Sequence, residues 1–203
     1  MTEARAHIVD DDEAIRDALQ WLLKTRKVPC STWPSGEAFL HAVHADWRGC
    51  AVLDIRMDGM SGLECLDALR ARGNTLPVVF ITGHGDVPMA VSALKKGAFD
   101  FIEKPFNDSD LVAVVQRAME TDAEHQRAAS LVGVIGQKLA SLTAREREVM
   151  ALILAGKYNK VIADELSISM RTVEAHRSKI FEKMAVRSAV ELAQLLKAHS
   201  GQR

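Results

Sequence analysis

The segment CAVLDIRMDGMSG, residues 50–62, is a short apolar run that stops at a carboxylate, Asp54. Glycines and a second acid, Asp58, follow it. An apolar run of this length bounded by turn residues is typical of a fully buried strand. A charge at the end of such a strand calls for an explanation, and the other strands provide one.

The first 120 residues alternate between short apolar runs and stretches with helical spacing. Ile15, Leu19, Leu22 and Leu23 recur as on one face of a helix, and residues 106–119 show the same spacing. The apolar runs are AHIV (6–9), VPCSTW (28–33), CAVLD (50–54), PVVFIT (77–82) and AFDFI (98–102). Five strand–helix repeats predict a doubly wound α/β domain whose parallel sheet is covered on both faces.

Ligands of such sheets bind at the carboxyl ends of the strands, and chemically active side chains follow four of the five runs. These residues are Asp10, Asp11 and Asp12 after the first run, Asp54 at the end of the third, Thr82 at the end of the fourth, and Lys104 and Pro105 after the fifth. Each alone has a structural explanation, such as helix capping by the aspartates. Acids gathered at one edge repel one another, however, and a hard cation such as Mg²⁺ removes that conflict.

This set of residues predicts phosphoryl transfer. With Mg²⁺ held by Asp10, Asp11 and Asp54, the ionised Asp54 is a nucleophile able to accept a phosphoryl group. The metal and Lys104 would neutralise charge on the transferred group, and the Thr82 hydroxyl could bond one of its oxygens.

Composition and charge point to two domains. The chain has 203 residues, enough for two small domains. Residues 138–203 carry 12 Lys and Arg against 7 Asp and Glu, whereas residues 1–137 carry 14 against 20. The basic part favours a polyanionic partner, although solvated surface charge explains it equally well. The three cysteines lack metal-ligand spacing, and we find no signal core or membrane-length stretch, so we expect a cytoplasmic protein with reduced thiols that does not engage a membrane.

The second part contains a candidate helix-turn-helix. A polar stretch, 120–130, could prolong the preceding helix, and we expect Gly133 and Gly136 to interrupt it. Thr143 and Glu146 then fit a capping box at the start of a new helix. NKVIADEL (159–166) and MRTVEAHRSKIFEKM (170–184) follow, joined by a short link.

The second of these helices has an apolar face and an opposite polar face. Val173, Ile180 and Met184 fall on the inward face, as in any amphipathic helix. The outward face carries the small residue Ala175 beside short polar side chains, which allows close approach to base edges. Basic residues that could meet phosphates surround it: Lys160, Arg171, Arg177, Lys179 and Lys183.

The first part of the chain resembles the receiver domain of two-component response regulators. The motifs are IVDDDEA (8–14), VLDIRMDGMSGLE (52–64), VVFITGHGDVPMAVSALKKGA (78–98) and DFIEKPF (100–106), and residues 82–106 resemble the FixJ-type subgroup. The resemblance implies a flavodoxin-like strand order 2-1-3-4-5 and a cis Lys104–Pro105 bond. It implies phosphorylation of Asp54 by a sensor histidine kinase. It also implies a Mg²⁺ site formed by Asp10, Asp11, Asp54 and the Arg56 carbonyl. Thr82 and Phe101 would form a switch pair, and Lys104, followed by Pro105, would contact the phosphoryl group.

One position departs from that family. Asp58 stands where the family usually has proline, which frees the φ angle of the loop and adds an acid near the metal site. We expect Asp58 to face solvent, and a changed Mg²⁺ affinity or phosphate lifetime is a further consequence to test.

Residues 139–197 resemble the LuxR-type four-helix DNA-binding domain. The matching pieces are LTAREREVM, AGKYNKVIADELSIS, RTVEAHRSKIFEKM and VRSAVELAQLL. The resemblance implies that Glu174, Ala175 and Ser178 read bases. It also implies that five residues mainly hold phosphates: Lys160, Thr172, His176, Arg177 and Lys179. We expect Asn159, Arg171 and Lys183 to complete the DNA contacts. The final helix, about 188–197, would offer Ala189, Leu192, Ala193 and Leu196 as a dimer surface.

Together the two resemblances imply a phosphorylation-switched transcriptional regulator of the FixJ/NarL type. We expect a receiver over 1–120, a linker over 121–138 and a DNA-binding domain over 139–203. Phosphorylation would create a homodimer through a surface that includes Val91 and Lys95. The homodimer would read two half-sites of double-stranded DNA and engage RNA polymerase.

Two other functions remain open from the sequence. Aspartyl-phosphate hydrolases share the nucleophile, metal and lysine, but they carry a second Asp where this chain has Arg56, so we expect no enzyme. A constitutive DNA binder with the receiver as a dimerisation scaffold is the other.

Overall fold

A computed structural model describes residues 3–83 and 87–200. It divides the chain into two compact units, Met1–His125 and Gln126–Arg203. The first unit ends a few residues beyond the receiver boundary predicted at 120. The motif over 78–98 includes residues 84–86, which lie outside the described part of the chain.

The first unit contains a five-stranded parallel sheet in the predicted order 2-1-3-4-5. Every residue of the third and fourth strands is buried, because helices cover both faces of the sheet. The strands are β1 (Arg5–Val9), β2 (Cys30–Trp33), β3 (Gly49–Asp54), β4 (Val78–Thr82) and β5 (Asp100–Glu103).

Five helices pack on this sheet in two layers. The first and fifth bury leucines and valines against one face, and the second, third and fourth cover the other. They are α1 (Glu13–Thr25), α2 (Gly36–Ala42), α3 (Gly62–Ala71), α4 (Val87–Lys95) and α5 (Asp108–Ala140). Asp12 caps α1 by accepting the Ala14 N–H, so one of the three N-terminal aspartates does serve as a cap.

The fifth helix corrects the sequence interpretation. It runs without a break from Asp108 to Ala140, through Gly133 and Gly136, where we expected an interruption. Each glycine weakens a helix by about 1 kcal/mol relative to alanine, which lowers its propensity without forcing an end. Ile135 between them is only 1% exposed, and its burial offsets that cost.

A buried acid fastens α5 to the sheet. Asp122 is 3% exposed, and its carboxylate accepts the main-chain N–H of Gly49 at the start of β3, 2.9 Å away. Gly49 has φ +113°, and a Cβ there would lie 2.0 Å from the Arg5 carbonyl oxygen, so only glycine fits. The receiver contacts of α5 therefore extend past residue 120.

The middle of β1 buries a histidine. His7 is 4% exposed and stacks on Trp47 with ring centroids 4.2 Å apart. Its Nδ1 has no hydrogen-bond partner among the described residues. Burial, helped by the charge of Arg5, lowers the pKa of His7 to about 4, so the native state holds this ring neutral.

We predict that this histidine makes the protein less stable in mild acid. The unfolded chain takes up the proton below about pH 6.5 and the native state only near pH 4. The free energy of unfolding is therefore not reduced by His7 above about pH 6.5. It falls as the pH drops from about 6.5 toward 4. Urea unfolding should show about 2 kcal/mol less stability at pH 5 than at pH 7 from His7 alone. His7→Phe should remove that part of the slope, and an unchanged slope would contradict the assignment.

The second unit contains the predicted helix-turn-helix. Its helices after α5 are α6 (Ala144–Leu154), α7 (Asn159–Leu166), α8 (Met170–Met184) and α9 (Ala189–Ser200). Thr143 and Glu146 form the predicted capping box of α6. Val173, Ile180 and Met184 are fully buried in the core, as expected. Leu192 of α9 is also fully buried there, so this member of the predicted dimer face packs inward.

Candidate phosphoacceptor site and nucleic-acid interface

The sheet brings two of the predicted carboxylates together at its carboxyl edge. β1 and β3 are neighbours, with Val9 opposite Leu53, so Asp10 and Asp54 leave adjacent strands side by side. Both carboxylates are almost fully enclosed, with Asp10 3% and Asp54 8% exposed. Burying two acids next to each other requires a compensating cation.

Lys104 provides a cation in this structure. Its Nζ lies 2.8 Å from Oδ1 of Asp54 and 3.3 Å from Oδ2 of Asp10. Burial lowers the pKa of Lys104, but the hydrogen bond and charge of Asp54, together with Asp10, outweigh that effect and raise the pKa. Burial raises the pKa of Asp10, opposed by the Asp12 N–H and by Lys104. The ammonium is thus held charged between the two carboxylates.

Each of the three carboxylates predicted to bind metal accepts one main-chain N–H. Two of these bonds are local Asx turns, and the third joins two loops that are far apart in the sequence. The N–H of Asp12 donates to the carboxylate of Asp10 (2.9 Å), that of Arg56 to Asp54 (2.7 Å), and that of Asp58 to Asp11 (2.8 Å). The side chain of Asp11 is exposed, and so is that of Asp58, as predicted.

The turn that carries the acids is held by a residue that the sequence analysis did not identify. Nη1 of Arg16, on the first turn of α1, donates to the main-chain carbonyls of Asp10 and Asp11, both at 2.9 Å. This guanidinium fixes the backbone from which both carboxylates project. No spacing rule identifies Arg16, because its partners are carbonyls.

The predicted switch residues lie on the neighbouring strands β4 and β5. Thr82 is 1% exposed at the end of β4, and its carbonyl accepts the Lys104 N–H at 2.7 Å. Phe101 is half-buried opposite Phe80 and packs against the core beneath α4. The Lys104–Pro105 bond is cis, as expected.

The donor set suits a hard divalent cation. Mg²⁺ prefers carboxylate and carbonyl oxygens, and these are the groups that Asp10, Asp11, Asp54 and Arg56 offer. As it stands, no group of three acidic, histidine or cysteine side chains in the described ranges is close enough to hold a metal ion. Asp10 and Asp54 already converge on one cation, the Lys104 ammonium, so their position and charge fit the predicted site.

The outward face of α8 has the chemistry expected for reading bases. Glu174, Ala175 and Ser178 are all exposed, opposite the buried Val173 and Ile180. The flanking residues are exposed or half-buried: Asn159, Lys160, Arg171, Thr172, His176, Arg177 and Lys179. The Arg177 guanidinium lies 5.4 Å from the Phe181 ring centroid, which orients it along the helix.

Lys183, a predicted phosphate contact, makes an ion pair inside the second unit. Its Nζ lies 2.7 Å from the carboxylate of Glu146, which is 3% exposed, and it donates to the Ser141 carbonyl at 3.1 Å. The hydrogen bond from Lys183, with that from the Thr143 N–H, lowers the pKa of Glu146 to about 2. Lys183 therefore links α8 to α6 in this structure, and its contact with DNA stays a prediction.

Tyr158 is a candidate contact that the sequence analysis missed. It stands at the N-cap of α7, makes no side-chain cap and is 84% exposed. It directly precedes Asn159 and Lys160, both predicted to contact DNA. The sequence signal available was an aromatic residue directly before two polar residues predicted to contact DNA.

Comparison with known proteins identifies both units. Residues 6–116 match the response regulator receiver domain, and residues 140–196 match the bacterial regulatory proteins of the luxR family. The chain is 48% identical over 195 residues to the C4-dicarboxylate transport transcriptional regulatory protein DctR of Rhodobacter capsulatus, covering 93% of this chain and 97% of that protein. It is 43% identical over 189 residues to the transcriptional regulatory protein FixJ of Azorhizobium caulinodans, covering 93% and 90%.

Solved structures agree with these matches. The response regulator StyR is similar with a TM-score of 0.90 at 38% identity, covering 97% of this chain and 99% of that one. Full-length FixJ from B. japonicum is similar with a TM-score of 0.61 at 38% identity, covering 99% of both chains.

The chain therefore belongs to the two-component response regulators that join a receiver domain to a LuxR-type DNA-binding domain, the FixJ-like transcriptional regulators. Among the helices within 3–83 and 87–200, none is both long and apolar enough to cross a membrane.

Proposed function

We propose that Asp54 accepts a phosphoryl group from the phosphohistidine of a sensor kinase, and that this modification promotes dimerisation and DNA binding. The observation that carries the proposal is the Lys104 ammonium, bonded at once to Asp54 and Asp10. These contacts support the proposal, because the Asp54 carboxylate lies beside a fixed positive charge at the sheet edge.

The transfer replaces one bond to phosphorus by another. An Oδ of Asp54 forms the P–O bond, the P–N bond of the phosphohistidine breaks, and its electron pair stays on the imidazole. Lys104 stabilises negative charge on the phosphoryl oxygens. Asp10, Asp11, Asp54 and the Arg56 carbonyl would hold Mg²⁺, which supplies further neutralisation of that charge.

The added charge would be transmitted through the switch residues to the surface of α4 and β5. A phosphoryl group adds strong acceptors that the Thr82 hydroxyl would bond, and movement of Thr82 would leave space for Phe101. Val91 and Leu94 on α4 are 43% and 49% exposed, beside the exposed Lys95. We assign the phosphorylation-dependent homodimer contact to this apolar surface.

The kinase is expected to dock on α1 beside the site. An open groove of about 670 Å³ is lined by Ile15, Leu19, Trp21, Lys104, Pro105 and Phe106. Lys104 links this groove to Asp54, and Trp21 is 70% exposed. Exposed tryptophans at the rim of a groove are frequent hot spots of protein interfaces.

Trp21→Ala should therefore slow phosphorylation by the sensor kinase without slowing phosphorylation by the small molecule acetyl phosphate. Phosphotransfer from the kinase identified by profiling purified sensor kinases should slow at least about tenfold. Labelling by acetyl phosphate, which needs no docking surface, should be unchanged, and Trp21→Phe should retain most of the kinase reaction. Equal slowing with both donors would place the effect in the chemistry or in folding instead.

The DNA-binding unit would act on promoter DNA as a pair. Two copies joined through their receivers present two base-reading helices, so two half-sites are bound with a raised effective concentration. RNA polymerase is the expected partner at the promoter, and the cytoplasm, where bacterial DNA lies, is the expected location.

Intact mass measurement tests the phosphoacceptor proposal. The chain, incubated with acetyl phosphate and Mg²⁺, should gain the mass of one phosphoryl group and shift from monomer to dimer on a sizing column. Excess EDTA should prevent both changes. An unmodified chain would overturn the proposal and leave a constitutive DNA binder.

A further inference from the structure

Asp58 stands out because its main-chain N–H reaches across to a different loop. The amide lies 2.8 Å from Oδ2 of Asp11, 47 positions earlier in the chain. Asp11 follows β1, whereas Asp58 lies in the loop that follows β3. The bond therefore joins the two loops that carry the acidic site, in addition to the contacts that Lys104 makes with Asp10 and Asp54.

The other two carboxylates show what such a bond does. Asp10 and Asp54 are buried, and each keeps one oxygen on a main-chain N–H supplied by its own turn. Asp11 is exposed, and the side chain of an exposed acid has several rotamers. A carboxylate has about four lone-pair positions, so one accepted hydrogen bond leaves others for a cation.

We propose that the Asp58 amide is a positioning group that holds the Asp11 carboxylate ready to bind the metal, an inference that rests on the proposed Mg²⁺ site. Hydrogen-bonded partners of ligating carboxylates orient the ligands and support metal affinity. A proline at position 58 has no N–H and leaves Asp11 without this anchor. The residue at this position thus tunes Mg²⁺ affinity through its backbone.

Two substitutions separate the backbone group from the side chain. Asp58→Pro removes both the N–H and the carboxylate, whereas Asp58→Ala removes only the carboxylate. Loss of the exposed charge should weaken Mg²⁺ binding about threefold or less. Loss of the N–H should weaken Mg²⁺ binding about a further tenfold. This is the lower end of the loss in affinity that is typical when a hydrogen-bonding partner of a metal ligand is removed. Calorimetric titration of the full chain with Mg²⁺ measures both without phosphorylation.

Asp11→Ala provides the background that tests the route, because asparagine would keep an oxygen able to accept the N–H of residue 58. If Asp58 acts through Asp11, the Asp58→Pro and Asp58→Ala variants should differ about tenfold in the wild-type background and bind Mg²⁺ equally when combined with Asp11→Ala. The amide proton of residue 58, followed by NMR without metal, should also move upfield in Asp11→Ala, since it loses its charged acceptor.

The outcomes distinguish the inference from the proposed function beneath it. Equal Mg²⁺ affinities for Asp58→Pro and Asp58→Ala, or tighter binding by Asp58→Pro, overturn the inference while wild-type binding upholds the metal site. A tenfold difference that persists in combination with Asp11→Ala assigns the effect to loop geometry and also overturns the inference. Absence of Mg²⁺ binding by the wild type overturns both.

Discussion

Asp54→Asn will abolish phosphoryl uptake by this protein. The amide is isosteric with the carboxylate but has no charged oxygen to attack phosphorus, and Lys104 loses one of its two acidic partners. No other described carboxylate combines near-complete burial at the strand ends with a bond of 2.8 Å to a lysine and a bond to a turn N–H. Intact mass after incubation with acetyl phosphate and Mg²⁺ should therefore show the unmodified chain alone.

Asp17→Asn is the matched control for this substitution. Asp17 is an exposed acid on α1, close in sequence to the site but outside it. Its variant should take up one phosphoryl group as the wild type does. Stoichiometric phosphorylation of Asp54→Asn would show that the acceptor is elsewhere and would contradict the assignment of the site.

Ala175→Asp will have the second large effect, on DNA binding. Ala175 is an exposed small residue on the face of α8 that we propose reads bases, where a longer acidic side chain would clash with base edges and be repelled by phosphates. We expect affinity for a duplex selected from a random pool to fall about hundredfold or more, a large part of the thousandfold or greater margin that is typical of specific over non-specific binding. Fluorescence anisotropy with a labelled duplex measures the change.

Ala151→Asp controls for the added charge. Ala151 is an exposed alanine on α6, in the same folded unit. Its variant has the same net charge as Ala175→Asp and should bind DNA within about threefold of the wild type. Equal losses in the two variants would show that general electrostatics, and not the face of α8, governs binding.

The sequence predicted the sheet and most of the acidic site because both depend on strong local signals. Buried parallel strands read as continuous apolar runs, and β3 matches its run at Asp54. Once the topology is known, residues after different strands must meet at one edge. Asp10, Asp54 and Lys104 meet there within hydrogen-bonding distance.

The features that the sequence did not predict depend on tertiary contacts or on main-chain groups. Gly133 and Gly136 weaken a helix locally, but packing of Ile135 outweighs that weakness. Lys183 has the charge of a phosphate contact, and only the fold reveals Glu146 beside it. The bond from the Asp58 amide to Asp11 is invisible to any pattern of side chains.

DNA affinity before and after phosphorylation tests the central claim most directly. A duplex selected from a random pool with the phosphorylated protein would be titrated at fixed salt with the unmodified chain and with the acetyl phosphate-treated chain. The account predicts at least about tenfold tighter binding after treatment, within the usual range of coupling between two sites, and no change for Asp54→Asn. Equal affinity of the two forms would contradict it and make the receiver a scaffold for a constitutive DNA binder.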